Sequence, residues 1–146
     1  MEMALSKDTF SFNVPWELQY GYVQAVKAGD SIHVSGQFSH DDEGNIVAPA
    51  PLDSDGRISD FSNMEAQMRQ SYANAAKVLS HFGVTADDIV EDVLYVLDMD
   101  AAFAVAGRVR QAFYGAEIPK VASTVLVTPR LAVPTQLVEI SFVIKR

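Results

Sequence analysis

The segment QLVEISFVIK near the C-terminus constrains the chain most, because it alternates strictly and both of the resulting faces need cover. Val138, Ile140, Phe142 and Ile144 form one row, suited to lie under helices. Leu137, Glu139, Ser141 and Val143 form the other, which is too apolar to be left in water. Glu139 sits between Val138 and Ile140 and loses hydration unless something pairs with it. It is either a partnered structural acid or a base.

The remaining patterns supply a sheet and two helices. YVQAVKAGDSIHVSGQ reads as a hairpin around AGD, with Ile32 and Val34 on one face and Ser31, His33, Ser35 and Gln37 on the other. The Asp-, Gly- and Pro-rich stretch 38–60 is expected to be a long surface loop, with a short strand at Asn45–Val47. A helix is expected from a Ser62/Glu65 capping box to Gly83, its stripe being Met64, Met68, Tyr72, Ala75, Leu79 and Phe82. DDIVEDVLYVLDM reads as a strand, and a second helix follows with Phe103, Ala106, Val109 and Phe113 on one stripe before Gly115. ASTVLVT and the final segment complete the order β-β-(β)-α-β-α-β-β, an α+β fold of two layers. Helices on one face of the sheet leave the other bare, so self-association is expected.

Composition removes several kinds of chemistry. The chain has 146 residues, 49% hydrophobic and 21% charged, which fits one folded domain. With no cysteine it has no disulfide, zinc-thiolate or thiol nucleophile. A formal net charge of -8 disfavours nucleic acid as a partner. MEMALSKDTFSFNVPW lacks the pattern of a leader and no apolar run is of membrane-spanning length, so a cytoplasmic protein with no membrane partner is expected. HDDEG and DSDG are oxygen-rich but lack the ligand ladder of a calcium loop, and read as solvated turns with no metal. Arg108 and Arg110, two apart on a helix, point to different sides.

Ser35 lies at a strand end beside Gly36, where a missing side chain lets a ligand approach the backbone. The spacing does not make a nucleophile elbow. PWE, GYVQAVKAGDSIHVSGQ, MEAQMRQSYANAAKVLSHFG, DDIVEDVLYVLDMD and LVEISFVI, in this order, resemble the Rid family, the YjgF-type reactive-intermediate deaminases. The resemblance spans nearly the whole chain, as one domain over residues 1–146. It implies a chorismate-mutase-like two-layer sandwich, a mixed sheet packed by two helices, assembled as a homotrimer with a central β-barrel and ligand sites in the clefts between subunits. It further implies cofactor-free hydrolysis of imine or enamine metabolites, with release of ammonia. By position Tyr22, Ser35, Gly36 and Glu139 match cleft residues.

One family residue is missing. The family's P-A-R-S motif carries an Arg that forks onto the substrate carboxylate, but here the region reads IPKVASTVLV. Val121, Ala122, Ser123 and Thr124 are the positions that could correspond, which leaves Ser123 and Thr124 as donors and Lys120 and Arg130 as the nearest cations. The expected substrate is therefore not the usual small imino acid but a neutral or differently charged compound. The alternative is a non-catalytic small-molecule-binding or regulatory trimer. A ribonuclease role, also attached to this family, fits poorly with the acidic balance. Trp16 and Glu17 either reach the cleft or anchor packing, and His33 and His40 have no assigned role.

Overall fold

The computed structural model describes residues 4–146; residues 1–3, where the segment read for a leader begins, lie outside it. In chain order the elements are β1 (Asp8–Phe10), α1 (Pro15–Tyr20), β2 (Ala25–Ala28), β3 (Ser31–Gln37), α2 (Met64–His81), β4 (Ile89–Val96), α3 (Met99–Tyr114), β5 (Ala122–Val127) and β6 (Val138–Lys145). They build one sheet of six strands in the order β1-β2-β3-β6-β4-β5, antiparallel except where β5 runs parallel to β4 after the α3 crossover. β6, the most constraining segment of the sequence, lies in the middle, between β3 and β4.

The local reasons are those the sequence displays. Ala28 pairs with Ser31, so β2 and β3 are joined by the two-residue loop Gly29–Asp30, with Gly29 at a φ of +61° that disfavours side chains. α2 turns Met64, Met68, Tyr72, Ala75 and Leu79 inward, and they pack with Ile32, Val34, Leu94, Val96, Ile140 and Phe142 in one core. The opposite row of β6, with Val93 and Tyr95 of β4, faces away from the helices and is half-buried.

Several expectations are corrected. The sheet is open, with β1 and β5 as unpaired edges, so the expected chorismate-mutase-like arrangement with a central β-barrel is not present: closure would need a β1–β5 pairing the chain does not make. Ser62 does not cap α2; its hydroxyl donates to Asp60, Asn63 is the N-cap residue, and Glu65 pairs with Arg69 and Arg108. Phe103 is 68% exposed, because α3 buries the stripe holding Ala102 and Val109, and the next residue lies about 100° around a helix. Leu137 is fully buried within the chain rather than on the bare face. The short strand at Asn45–Val47 is a single bridge between Ile46 and His40, and two short elements, β1 and α1, were not expected at all.

Gln67 joins α2 to the start of β6. Its side chain is fully buried, donates to the carbonyls of Ala48 and Thr135 at 2.9 Å each, and accepts from the Leu137 amide at 2.7 Å. Three backbone groups thus converge on one amide side chain. Gln67→Ala takes this partner from the Ala48 carbonyl and the Leu137 amide, while the Thr135 carbonyl keeps the Ala50 amide, and a loss of roughly 2–4 kcal/mol in urea denaturation is expected. A change below about 0.5 kcal/mol would mean that β6 is anchored otherwise.

Candidate active site

β3 and β6 run in register from Ser31↔Lys145 to Val34↔Phe142, and pairing resumes only at Gln37↔Ile140. Two residues on β3, Ser35 and Gly36, thus stand against one on β6, Ser141, which makes a bulge. Gln37 is thereby placed opposite the core residue Ile140 and is buried, whereas simple alternation puts it with Ser35. Gly36 meets the side chain of Glu139. A Cβ on Gly36 would lie 2.4 Å from Glu139 Oε2 and 2.6 Å from its carboxyl carbon, so the acid occupies the space that any other residue would fill.

The Glu139 carboxyl has one side-chain hydrogen bond: Gln136 Nε2 donates to Oε1 at 3.0 Å. Gln136 is itself held by the Val133 amide, which donates to its Oε1 at 3.2 Å. No Lys or Arg among the described residues contacts Glu139. Burial raises its pKa above the ordinary glutamate range, and the Gln136 bond opposes the rise in part. The raised pKa makes the protonated form of this carboxyl more accessible than in an ordinary glutamate.

Tyr22 lies between two acids. Burial raises its hydroxyl's pKa, and the negative charges of Glu17 and Glu139 raise it further. The Gln24 amide donates to that hydroxyl at 3.5 Å and to Glu17 at 2.8 Å. Glu17 also accepts the backbone amides of Phe12, Asn13 and Val14, so it fastens the turn that leads into α1. Gln37 donates to Gln24 at 2.9 Å, which ties the bulge to this turn. The Ser35 hydroxyl donates to the Val23 carbonyl at 2.8 Å and so fixes the strand that follows Tyr22. Pro at the first helical position and Glu two residues later were the sequence signal for α1 and for the structural role of Glu17.

The structure brings together Tyr22, Gly36 and Glu139, with Ser35 behind them. It does not bring Ser123 to this group. Ser123 pairs with Asp92 on the helix side of the sheet and donates to its carboxylate, together with Tyr72, Tyr114 and Arg110. Thr124 is on the uncovered face but beside Val93, roughly 10 Å from the position of Ser141 across two strand spacings. His33 is exposed on that face. His40 is buried against Phe12, Trp16 and Phe38, which lowers its pKa, and Trp16 packs on Gly44 as an anchor. Arg108 and Arg110 do part company, to Glu65 and Asp92, and the Glu65 pKa is held down to about 2 by its Arg108 and Arg69 bonds. Asp41 and Asp53 cap their own turns through backbone amides, as solvated turns do.

The model of the family described as Endoribonuclease L-PSP matches residues 17–145, a span that contains every residue of this site. The chain belongs to the YjgF/Rid family. The Escherichia coli YjgF gene product is 28% identical, with a TM-score of 0.73 over 97% of this chain and 99% of its own. A Yersinia pestis protein described as a Rid family member of unknown function is 22% identical, with a TM-score of 0.76 over 97% and 100%. A Mycobacterium tuberculosis member of the YjgF/YER057c/UK114 family is also 22% identical, with a TM-score of 0.75 over 97% and 100%. The last two likenesses concern the fold. Within this Rid-type fold the Glu139 row is the face that no helix covers.

Two outcomes are expected. Gly36→Ala forces the Glu139 carboxyl off its seat and out of reach of Gln136, with a cost of about 1–3 kcal/mol in denaturant unfolding. The second concerns pH. Because the folded chain holds the Glu139 proton more tightly than the unfolded chain, this group's contribution to stability falls as pH rises from the ordinary glutamate range through its raised folded value. Glu139→Gln removes that dependence. Thermal melts between about pH 4 and 8 should show the melting-temperature difference moving in the variant's favour as pH rises. A difference independent of pH would contradict the burial-raised pKa.

Proposed function

We propose that this protein is a homotrimeric Rid-type hydrolase that converts imine or enamine metabolites to carbonyl compounds with release of ammonia, Glu139 acting on the water. Family membership supports a general imine- or enamine-related catalytic role. The observation that carries the finer reading is the Glu139 carboxyl: desolvated, held at one oxygen by Gln136, seated on Gly36 and adjoined by Tyr22.

An imine carbon is already electrophilic, so the chemistry needs a positioned water and a place for protons. Glu139 takes a proton from water as the oxygen bonds to the imine carbon. It returns the proton to nitrogen to give a carbinolamine, and as the carbon–nitrogen bond of this intermediate breaks Glu139 passes the hydroxyl proton to the departing nitrogen, leaving a carbonyl and ammonia. The Tyr22 hydroxyl walls the site and reaches the reacting group, and the bare Cα of Gly36 lets substrate approach β3. With no cation on Glu139 or Tyr22, a buried substrate carboxylate would lack charge compensation at this point. The reading therefore takes a neutral or protonated imine as the reacting end.

The trimeric part rests on the uncovered face, where Val26, Val93, Tyr95, Leu126 and Val143 surround Glu139 and Thr124 with no helix over them. Packing that face on copies of the chain would deepen the half-burial of Glu139 and bring in Thr124 from an adjoining protomer. The acidic balance still argues against RNA as the substrate.

Sedimentation should give three times the chain mass, and freshly generated imines should release ammonia at a rate that Glu139→Gln lowers about 10²–10⁴-fold. An unchanged rate in that variant removes Glu139 as the base. Ligand-induced thermal stabilisation without any turnover would favour the regulatory binder instead.

A further inference from the structure

The chain has six arginines, and four of them, Arg69, Arg108, Arg110 and Arg146, are engaged by carboxylates. Arg57 and Arg130 form no ion pair among the described residues, and both line the same groove. The rest of its wall is apolar: Ile58, Phe61, Leu97, Pro129 and Pro134. In a protein of net charge -8, two arginines without an ion pair lining one largely apolar hollow, with Arg130 Nε donating to the Leu131 carbonyl at 3.3 Å, are not explained by solubility. Of the acids closest in sequence, Asp55 forms no ion pair with either arginine, and the other two are occupied elsewhere. Asp53 accepts the amides of Asp55 and Arg57, and Asp60 accepts both the amide and the hydroxyl of Ser62.

We propose that this groove is a binding site for an amphipathic carboxylate, whose charged end meets Arg57 and Arg130 and whose hydrocarbon part lies on Ile58, Phe61 and Leu97. The guanidinium fork matches a carboxylate in two directions, and the hollow, about 430 Å³, is of the size that small-molecule sites have. The backbone on both sides is held. The Arg57 carbonyl accepts the Asp53 amide at 2.7 Å, Ile58 bridges to Leu52, and the Arg130 carbonyl accepts the Thr128 hydroxyl at 3.2 Å. The site is distinct from the one around Glu139 and goes beyond the proposed hydrolysis. The two share a border, since Arg130 belongs to the loop that supplies Gln136 and the Leu97 amide donates to the Leu137 carbonyl.

The test is a titration of the full chain with hexanoate, followed by calorimetry and by amide chemical shifts, with acetate and 1-hexanol as the charge-only and tail-only probes. Saturable hexanoate binding is expected, about tenfold or more tighter than either control and weakened at least about tenfold in Arg57→Gln/Arg130→Gln. Both arginines are exposed, so that variant keeps its fold, which circular dichroism checks. Glu139→Gln should bind hexanoate unchanged. Absence of saturation, equal binding of acetate or 1-hexanol, or binding that survives the arginine changes would overturn the proposal. So would loss of binding in Glu139→Gln alone, which would place hexanoate at the other site. Ammonia release plays no part in these readouts, so failure of the hydrolase reading leaves this test intact.

Discussion

The contact between the Glu139 carboxyl and the bare Cα of Gly36 is the constraint on which the site depends. A Cβ at Gly36 would overlap the carboxyl, and without the β3 bulge Gly36 would not share a face with Glu139. The same irregularity turns Gln37 inward, where it ties β3 to Gln24 and through it to Glu17. One extra residue in a strand thus seats the acid and links β3 to the turn before α1.

Uncharged amides do most of the positioning around it. Gln67 anchors the start of β6, Gln136 holds Glu139, and Gln24 and Gln37 connect Glu17 to the bulge. A glutamine both donates and accepts without bringing a charge, so it can orient a carboxyl and leave its proton affinity under the control of burial. A lysine or arginine in the place of Gln136 would favour the charged form and lower that affinity.

The buried Asp92 and the half-buried Glu139 show the contrast. Asp92, on the helix side, accepts from Arg110, Tyr72, Tyr114 and Ser123 and is a satisfied structural ion. Glu139, on the other side, has one neutral donor. Strand alternation puts acids on either face, and the number and charge of the donors around them then differ from one face to the other. The groove at Arg57 and Arg130 reverses the situation: among the described residues these cations form no ion pair.

Much of the fold was legible in local pattern. The hairpin, α2, the β4-α3-β5 unit and the two rows of β6 follow from periodicity, because a row of apolar side chains every two or every 3.6 residues is itself the cause of the element. Glu139 was legible too, as an acid with no reason to stand in such a row. The open sheet, the exposure of Phe103 and the separation of Ser123 from Glu139 were not. The bulge was also hidden, since nothing in VSGQ distinguishes a plain strand end from an inserted residue. By itself the sequence determined which residues alternate and which acid loses water. Only the tertiary structure decided that Gly36 meets Glu139, that Ser123 serves Asp92 and that Arg57 joins Arg130, because each pairing depends on strand register or loop path across segments far apart in the chain.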